Sequence, residues 1–109
     1  MSDIEEIRHA IAQFTEERNW DQFHNGKDLA IALSIEAAEL TEAFLWKDAT
    51  EVELDKVKEE LADVFNYAFL IADKYNLNIK QIIFDKLKKN AVKYPVEKSF
   101  GSAKKYDEL

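Results

Sequence analysis

Apolar residues recur along this chain at spacings of three and four, the period of one helical face. Ile4, Ile7, Ile11 and Phe14 form the first stripe and predict a helix from about Asp3 to Glu17, capped by Ser2 or Asp3. Asn19 to Lys27 breaks the pattern, with Asn25-Gly26 as its turn signal. A second helix is expected from Lys27 or Asp28 to Trp46. Its stretch Leu29-Ala30-Ile31-Ala32-Leu33-Ser34-Ile35 is apolar nearly all round, which predicts a helix buried on most sides. Lys47 to Thr50 is a short connection, and Thr50 with Glu53 has capping-box spacing. The third helix is expected from about Glu51 to Tyr75, ended by Asn76-Leu77-Asn78. The fourth is expected over Ile79 to Lys93, because Pro95 restricts the residue ahead of it. Residues 96–109 are expected as an extended tail.

These elements make an all-α protein: a four-helix-type bundle with short loops and an extended C-terminal tail, one domain over residues 1–109. Composition agrees. Two Gly and one Pro are too few for the turns of a sandwich, a barrel or a phosphate-loop fold. No Cys is present, which removes disulfides, thiolate zinc sites and cysteine nucleophiles, and two His cannot form a three-His metal site. In a chain of 109 residues the second helix has more apolar surface than three partners easily cover. A homo-oligomer, dimer or tetramer, is therefore expected. No apolar run approaches the roughly 18 residues of a membrane span, and the acidic start MSDIEEIRHA lacks a signal peptide's apolar core. The expectation is a cytoplasmic protein with no membrane partner.

The net charge of −7 argues against a nucleic-acid partner. The charge is also uneven. Residues 1–85 carry 8 basic and 19 acidic side chains, whereas residues 86–106 carry seven Lys against Glu97 alone. Such a basic segment suits phosphate, or the acidic body of a neighbouring subunit.

Most of the acids belong to solvated helix faces, but four do not. With 100° per residue, Leu29, Leu33, Leu40 and Phe44 fall within about 80° of Glu36 on one side, and Ala32 and Ala43 on the other. Glu36 thus lies inside an apolar stripe, with Glu39 at its edge. On the third helix Glu60 and Asp63 share a face with Tyr67, Leu70 and Ile71. Each helix presents an acid-x-x-acid pair on one face. A single pair of this kind ordinarily meets Lys on a neighbouring helix. Two pairs in apolar surroundings, if they face each other, bring four like charges into a volume that only a counter-charge makes tolerable. Oxygen-only donors favour Mg²⁺, with Mn²⁺ as a substitute, over Zn²⁺. A di-iron carboxylate bundle would want Glu-x-x-His on two helices, and no such motif is present.

Five blocks carry a resemblance. They are Glu17-Arg18-Asn19-Trp20-Asp21-Gln22-Phe23-His24, Ser34 through Trp46, Glu59 through Tyr67, Lys86 through Pro95, and Ser102 through Tyr106. In this order they resemble the MazG-like all-α nucleoside triphosphate pyrophosphohydrolases, nearest the dCTP pyrophosphatase branch, over roughly residues 4–106. The resemblance implies Mg²⁺-dependent hydrolysis of a nucleoside triphosphate to the monophosphate and pyrophosphate. It also implies that Glu36, Glu39, Glu60 and Asp63 are catalytic metal ligands. The family often has Gly where this chain has Ala38.

Other residues in these blocks are candidates for the substrate. Trp20 and Trp46 can stack on a base or pack in a core. His24 can touch base or sugar, and Tyr67 lies one turn beyond Asp63. Lys86, Asn90 and Lys93 share one face of the fourth helix and can meet the triphosphate, while Lys104, Lys105 and Tyr106 can close over a phosphate. The expected substrate is dCTP or a modified pyrimidine deoxynucleotide, and the role is nucleotide-pool house-cleaning. The alternatives are the same chemistry on dUTP or phosphoribosyl-ATP, or a non-catalytic helical regulatory module.

Overall fold

The structure is a computed structural model that describes residues 1–109. It is all-α, as the apolar pattern predicts: α1 Asp3–Glu17, α2 Gly26–Glu42, α3 Leu54–Lys74, α4 Ile79–Lys93 and a single turn, α5 Val96–Ser99. Short 3₁₀ turns occupy Asp21–Phe23 and Tyr106–Glu108. No helix is long and apolar enough to cross a membrane.

The chain divides into two compact units, Met1–Leu77 and Asn78–Leu109. In the first, α3 packs against both α2 and α1. Tyr75, at the end of α3, lies where a side chain on Gly26, at the start of α2, would project, so the two helices run antiparallel. Arg8 of α1 reaches Asp73 of α3 at 2.7 Å. The fully buried part is small: Leu29, Ala43 and Ala72 with the polar Thr15. In the second unit, Asn78 caps α4 by accepting the Gln81 N–H at 2.9 Å. There Tyr106 packs edge-on against Tyr94 at 6.1 Å between ring centres, with the Lys93 ammonium 4.9 Å from its ring.

Caps explain where α1 begins and where α1 and α3 end. Ser2 accepts the Glu5 N–H at 3.2 Å, with Asp3, Glu5 and Glu6 in the positive first turn. Asn19 and Asn76 then stop α1 and α3 with φ of 52° and 54°. Each makes a Schellman ending: Trp20 N–H donates to Thr15 C=O at 3.0 Å and Asn19 N–H to Glu16 C=O at 3.0 Å. In the second, Leu77 N–H donates to Ala72 C=O at 2.8 Å and Asn76 N–H to Asp73 C=O at 3.2 Å.

Four expectations are corrected. Asn25-Gly26 is not a turn; Asn25 is the cap of α2, accepting the Asp28 N–H at 2.9 Å, and Gly26 is the first helical residue. The second helix ends at Glu42, because Ala43 to Lys47 tighten into i→i+3 turns and Trp46 takes φ 63°. The Thr50–Glu53 capping box does not form; Glu53 itself is the cap, and α3 starts at Leu54. The tail is not wholly extended, since α5 follows Pro95 and a 3₁₀ turn closes the chain. The second helix is also less buried within one chain than its pattern suggests. Leu29 is 2% exposed, but Ile31 and Ile35 are 48% and 52% exposed.

With so little buried volume, Leu29 carries a large share of the packing of the first unit. Leu29→Ala should lower the unfolding free energy by about 2–5 kcal/mol, read as a lower urea midpoint. A change below about 0.5 kcal/mol, the size of a surface substitution, would show that the first unit is not organised around Leu29.

Candidate metal and nucleotide site

The acidic stripes of α2 and α3 face each other. One carboxylate oxygen each from Glu36, Glu60 and Asp63 lies within 4.8 Å of the others, close enough to share a cation. Glu39 stands beside this group, near enough for its charge to act on both Glu36 and Glu60. All four predicted ligands therefore converge, three of them within reach of one ion and the fourth at the edge.

No cation of the chain balances them. Its ion pairs join Arg8 to Asp73, Arg18 to Glu17, Lys58 to Asp55 and Lys74 to Asp21. The ordinary alternative, acids paired with Lys of a neighbouring helix, is not the arrangement within this chain. Glu36 Oε2 and Glu60 Oε2 are instead buried without a hydrogen-bond partner. Burial, and then the neighbouring carboxyl groups of Glu39, Asp63 and Glu60, push the Glu36 carboxyl up to about 7. Burial and the same acidic neighbours raise Glu60, with Lys56 opposing weakly. Orphaned buried oxygens on a hard, oxygen-only donor set are what a divalent cation would complete.

Beside the carboxylates opens a cleft of about 450 Å³. Asp63, Asn66, Tyr67 and Leu70 of α3 form one wall, and Ala10, Ile11, Phe14 and Thr15 of α1 form another. Trp20 and His24, from the connector between α1 and α2, complete it. The Schellman ending of α1 explains Trp20: Asn19 turns the chain so that the indole lands edge-on against Phe14, 5.7 Å between ring centres. The volume and the mixed apolar and polar lining suit a small organic ligand that meets the acidic cluster at one end.

Trp20, His24 and Tyr67 thus reach the cleft. Trp46 does not; it is 94% exposed on the turn after α2, because the helix stops before it. Lys86, Asn90 and Lys93 lie on α4 in the second unit, where Lys86 borders an apolar groove with Ile82, Ile83 and Leu87. In the same unit Lys105 precedes the last 3₁₀ turn, and the backbone N–H of Lys104 donates to Ser102 Oγ at 3.2 Å. Sequence reasoning named Leu70 only as a neighbour of Glu60 and Asp63 on one face, and missed Ala10, Ile11, Phe14, Thr15 and Asn66 as cleft residues. Asn66 and Leu70 were accessible to it, three and seven residues after Asp63 on the same face. The α1 residues read only as core.

Comparison with known proteins agrees with this geometry. A profile described as the MazG-like family matches residues 31–109. The chain is 39% identical over 114 residues to dCTP pyrophosphatase 1 of Mus musculus, covering 97% of this chain and 67% of that protein. To dCTP pyrophosphatase 1 of Homo sapiens it is 34% identical over the same shares. The crystal structure of a pyrophosphatase from Archaeoglobus fulgidus superposes with a TM-score of 0.78 at 33% identity, covering 87% of this chain and 94% of that one.

The raised Glu36 carboxyl has a direct consequence for the metal-free protein. Its folded pKa of about 7 exceeds the ordinary 4.5, so the folded state holds the proton more tightly than the unfolded state. This group's destabilising effect is therefore full above pH 7 and relieved as pH falls toward 4.5. Glu36→Gln should be more stable than wild type above pH 7 in urea titrations with chelator, and the gap should close toward pH 4.5. Millimolar Mg²⁺ should stabilise wild type and not the variant. A gap independent of pH would mean that Glu36 is not held in a crowded acidic site.

Proposed function

Because the chain belongs to the MazG-like family and is a nucleoside triphosphate pyrophosphohydrolase, we propose that it opens dCTP or a related pyrimidine deoxynucleotide at the α-phosphorus. The products are the monophosphate and pyrophosphate, a reaction suited to clearing unwanted nucleotides from the pool. The observation that carries this reading is the unbalanced carboxylate cluster set at one end of a nucleoside-sized cleft.

Glu36, Glu60 and Asp63 would hold a divalent cation, with Glu39 beside them. The all-oxygen donor set fits Mg²⁺, and Mn²⁺ as a substitute. Such an ion supplies neutralisation of phosphate charge and a more acidic water. The chain's own residues do the rest. Glu39 lies outside the trio and is free to accept the proton of the attacking water. As the water oxygen bonds to the α-phosphorus, the bond to the bridging oxygen of the β-phosphate breaks and pyrophosphate leaves. Trp20 and Phe14 offer aromatic surface to the base, and Tyr67 and His24 offer polar edges. Lys86, Asn90 and Lys93, which share one face of α4, and Lys104, Lys105 and Tyr106 of the tail carry the charge and the donors that a triphosphate calls for.

The active form is a homo-oligomer, dimer or tetramer. Ile31 and Ile35 on α2, and Leu61 and Phe65 on α3, are one-turn pairs of large apolar residues left exposed in the single chain, and a second copy would cover them. Neither nucleic acid nor membrane is needed as a partner, and the cytoplasm is the natural setting for this chemistry.

Pyrophosphate release should therefore be Mg²⁺-dependent, abolished by chelator, and fastest with dCTP or its derivatives in a panel of nucleoside triphosphates. Glu36→Ala should reduce kcat/KM by about 100-fold or more with helical content intact, since losing even an outer-sphere partner of a metal ligand costs 10–100-fold. Full activity in that variant would refute the metal assignment; preference for another nucleotide would keep the chemistry and change the substrate. Separately, Ile35→Asp should shift the protein from oligomer to monomer in light scattering, and an unchanged mass would place the interface elsewhere.

A further inference from the structure

The wall of the cleft contains a residue whose presence neither the fold nor the metal chemistry explains. Asn66 stands in the middle of α3, where asparagine is a poor helix former compared with Ala or Leu. It is exposed, and none of the chain's side-chain hydrogen bonds engages it. It nevertheless lines the cleft between Asp63 and Leu70.

Its height along α3 indicates what it meets. At 1.5 Å per residue, Asn66 stands about 4.5 Å beyond Asp63 along the helix axis, and Leu70 about 10.5 Å. Helical side chains lean toward the N-terminus, which draws the carboxamide back toward the carboxylates. In a nucleoside triphosphate the sugar follows the α-phosphate directly and the base lies one ring further out. If the α-phosphate sits at the carboxylates, the sugar falls beside Asn66 and Tyr67. The base then falls among Leu70, Ile11, Phe14 and Trp20, a largely apolar level suited to stacking.

The chemistry of the group agrees. A sugar hydroxyl both donates and accepts, and a carboxamide offers two donors and an acceptor on one planar end. With nothing fixing its rotation, Asn66 would be a poor reader of one base edge over another, but it satisfies a hydroxyl in either orientation. Two other polar groups of the lining are committed elsewhere, since Thr15 Oγ1 donates to Ala12 C=O at 3.0 Å and Asp63 belongs to the acidic cluster, whereas Tyr67 and His24 offer a single hydroxyl and an imidazole edge.

We propose that Asn66 is a specificity-determining residue that recognises the 3′-hydroxyl of the nucleotide sugar. This rests on the function inferred above. Asn66 thereby favours substrates with an intact 3′-hydroxyl over their 3′-deoxy analogues, independently of the base.

The test pairs a residue change with a substrate change. Pyrophosphate release is measured for wild type, Asn66→Ala and Asn66→Leu, each with dCTP and with 2′,3′-dideoxycytidine triphosphate, and kcat/KM is compared. Wild type should prefer dCTP by about three- to ten-fold, the size of one neutral hydrogen bond. Both variants should lose about that factor on dCTP and nothing further on the dideoxy analogue, with thermal stability unchanged or raised. Equal losses on both substrates, or no loss on dCTP, would overturn the role of Asn66. A wild type that releases pyrophosphate from no deoxynucleotide would instead overturn the function itself.

Discussion

The structure turns on a repulsion. Glu36, Glu39, Glu60 and Asp63 converge where α2 and α3 face each other, and two of their oxygens are buried without a partner. A fold that needed only stability would place apolar side chains here, since apolar residues of similar volume replace buried charges at little cost. The Glu36 carboxyl, pushed up to about 7 by burial and its neighbours, is the measure of the resulting tension. The cluster makes sense as one half of an interaction whose other half is a divalent cation. The antiparallel packing of α2 on α3 brings the two acid-x-x-acid pairs to the same level.

The rest of the first unit arranges a nucleoside-sized cleft next to that charge. α1 contributes an apolar wall through Ile11 and Phe14, and the ending of α1 does more than stop a helix. Asn19 in the left-handed region leads the chain directly into Trp20, and the indole meets Phe14, six residues back in α1. The residue that terminates the helix thus also positions an aromatic group in the cleft. The connector continues to His24, and Lys74 at the end of α3 holds Asp21 at 3.6 Å.

Much of this was legible in the sequence, and the division has physical causes. α1 and α4 were delimited correctly because strong local signals mark their ends: Ser2 as a cap and Asn19 as a stop for α1, the break Asn76-Leu77-Asn78 and Pro95 on either side of α4. The four acids stood out because a charge inside an apolar stripe conflicts with burial whatever the tertiary structure. The end of α2 was misplaced because Phe44, Leu45 and Trp46 continue the helical pattern, while the i→i+3 turns that follow Glu42 depend on no residue with a helix-breaking signature. Trp46, a candidate for base stacking or core packing because it lies in a block that carries the resemblance, does neither within this chain and stands exposed. The α1 wall was invisible as a site, since a stripe facing a cleft and a stripe facing a core have the same period.

That ambiguity bears on the apolar residues left exposed. Ile31 and Ile35 belong to a segment that reads as buried on most sides, yet within one chain half of each is open. An apolar pattern records burial in the functional assembly and does not say which chain provides the cover. The segment lies on the helix that carries Glu36 and Glu39, so a partner that covered Ile31 and Ile35 would also bear on α2 as a rigid support for the acidic cluster. A second copy in that place would reinforce the same α2–α3 contact that holds four like charges together. Assembly and metal binding would then oppose one repulsion from two sides, the ion by balancing charge and the partner by holding the backbone against relaxation.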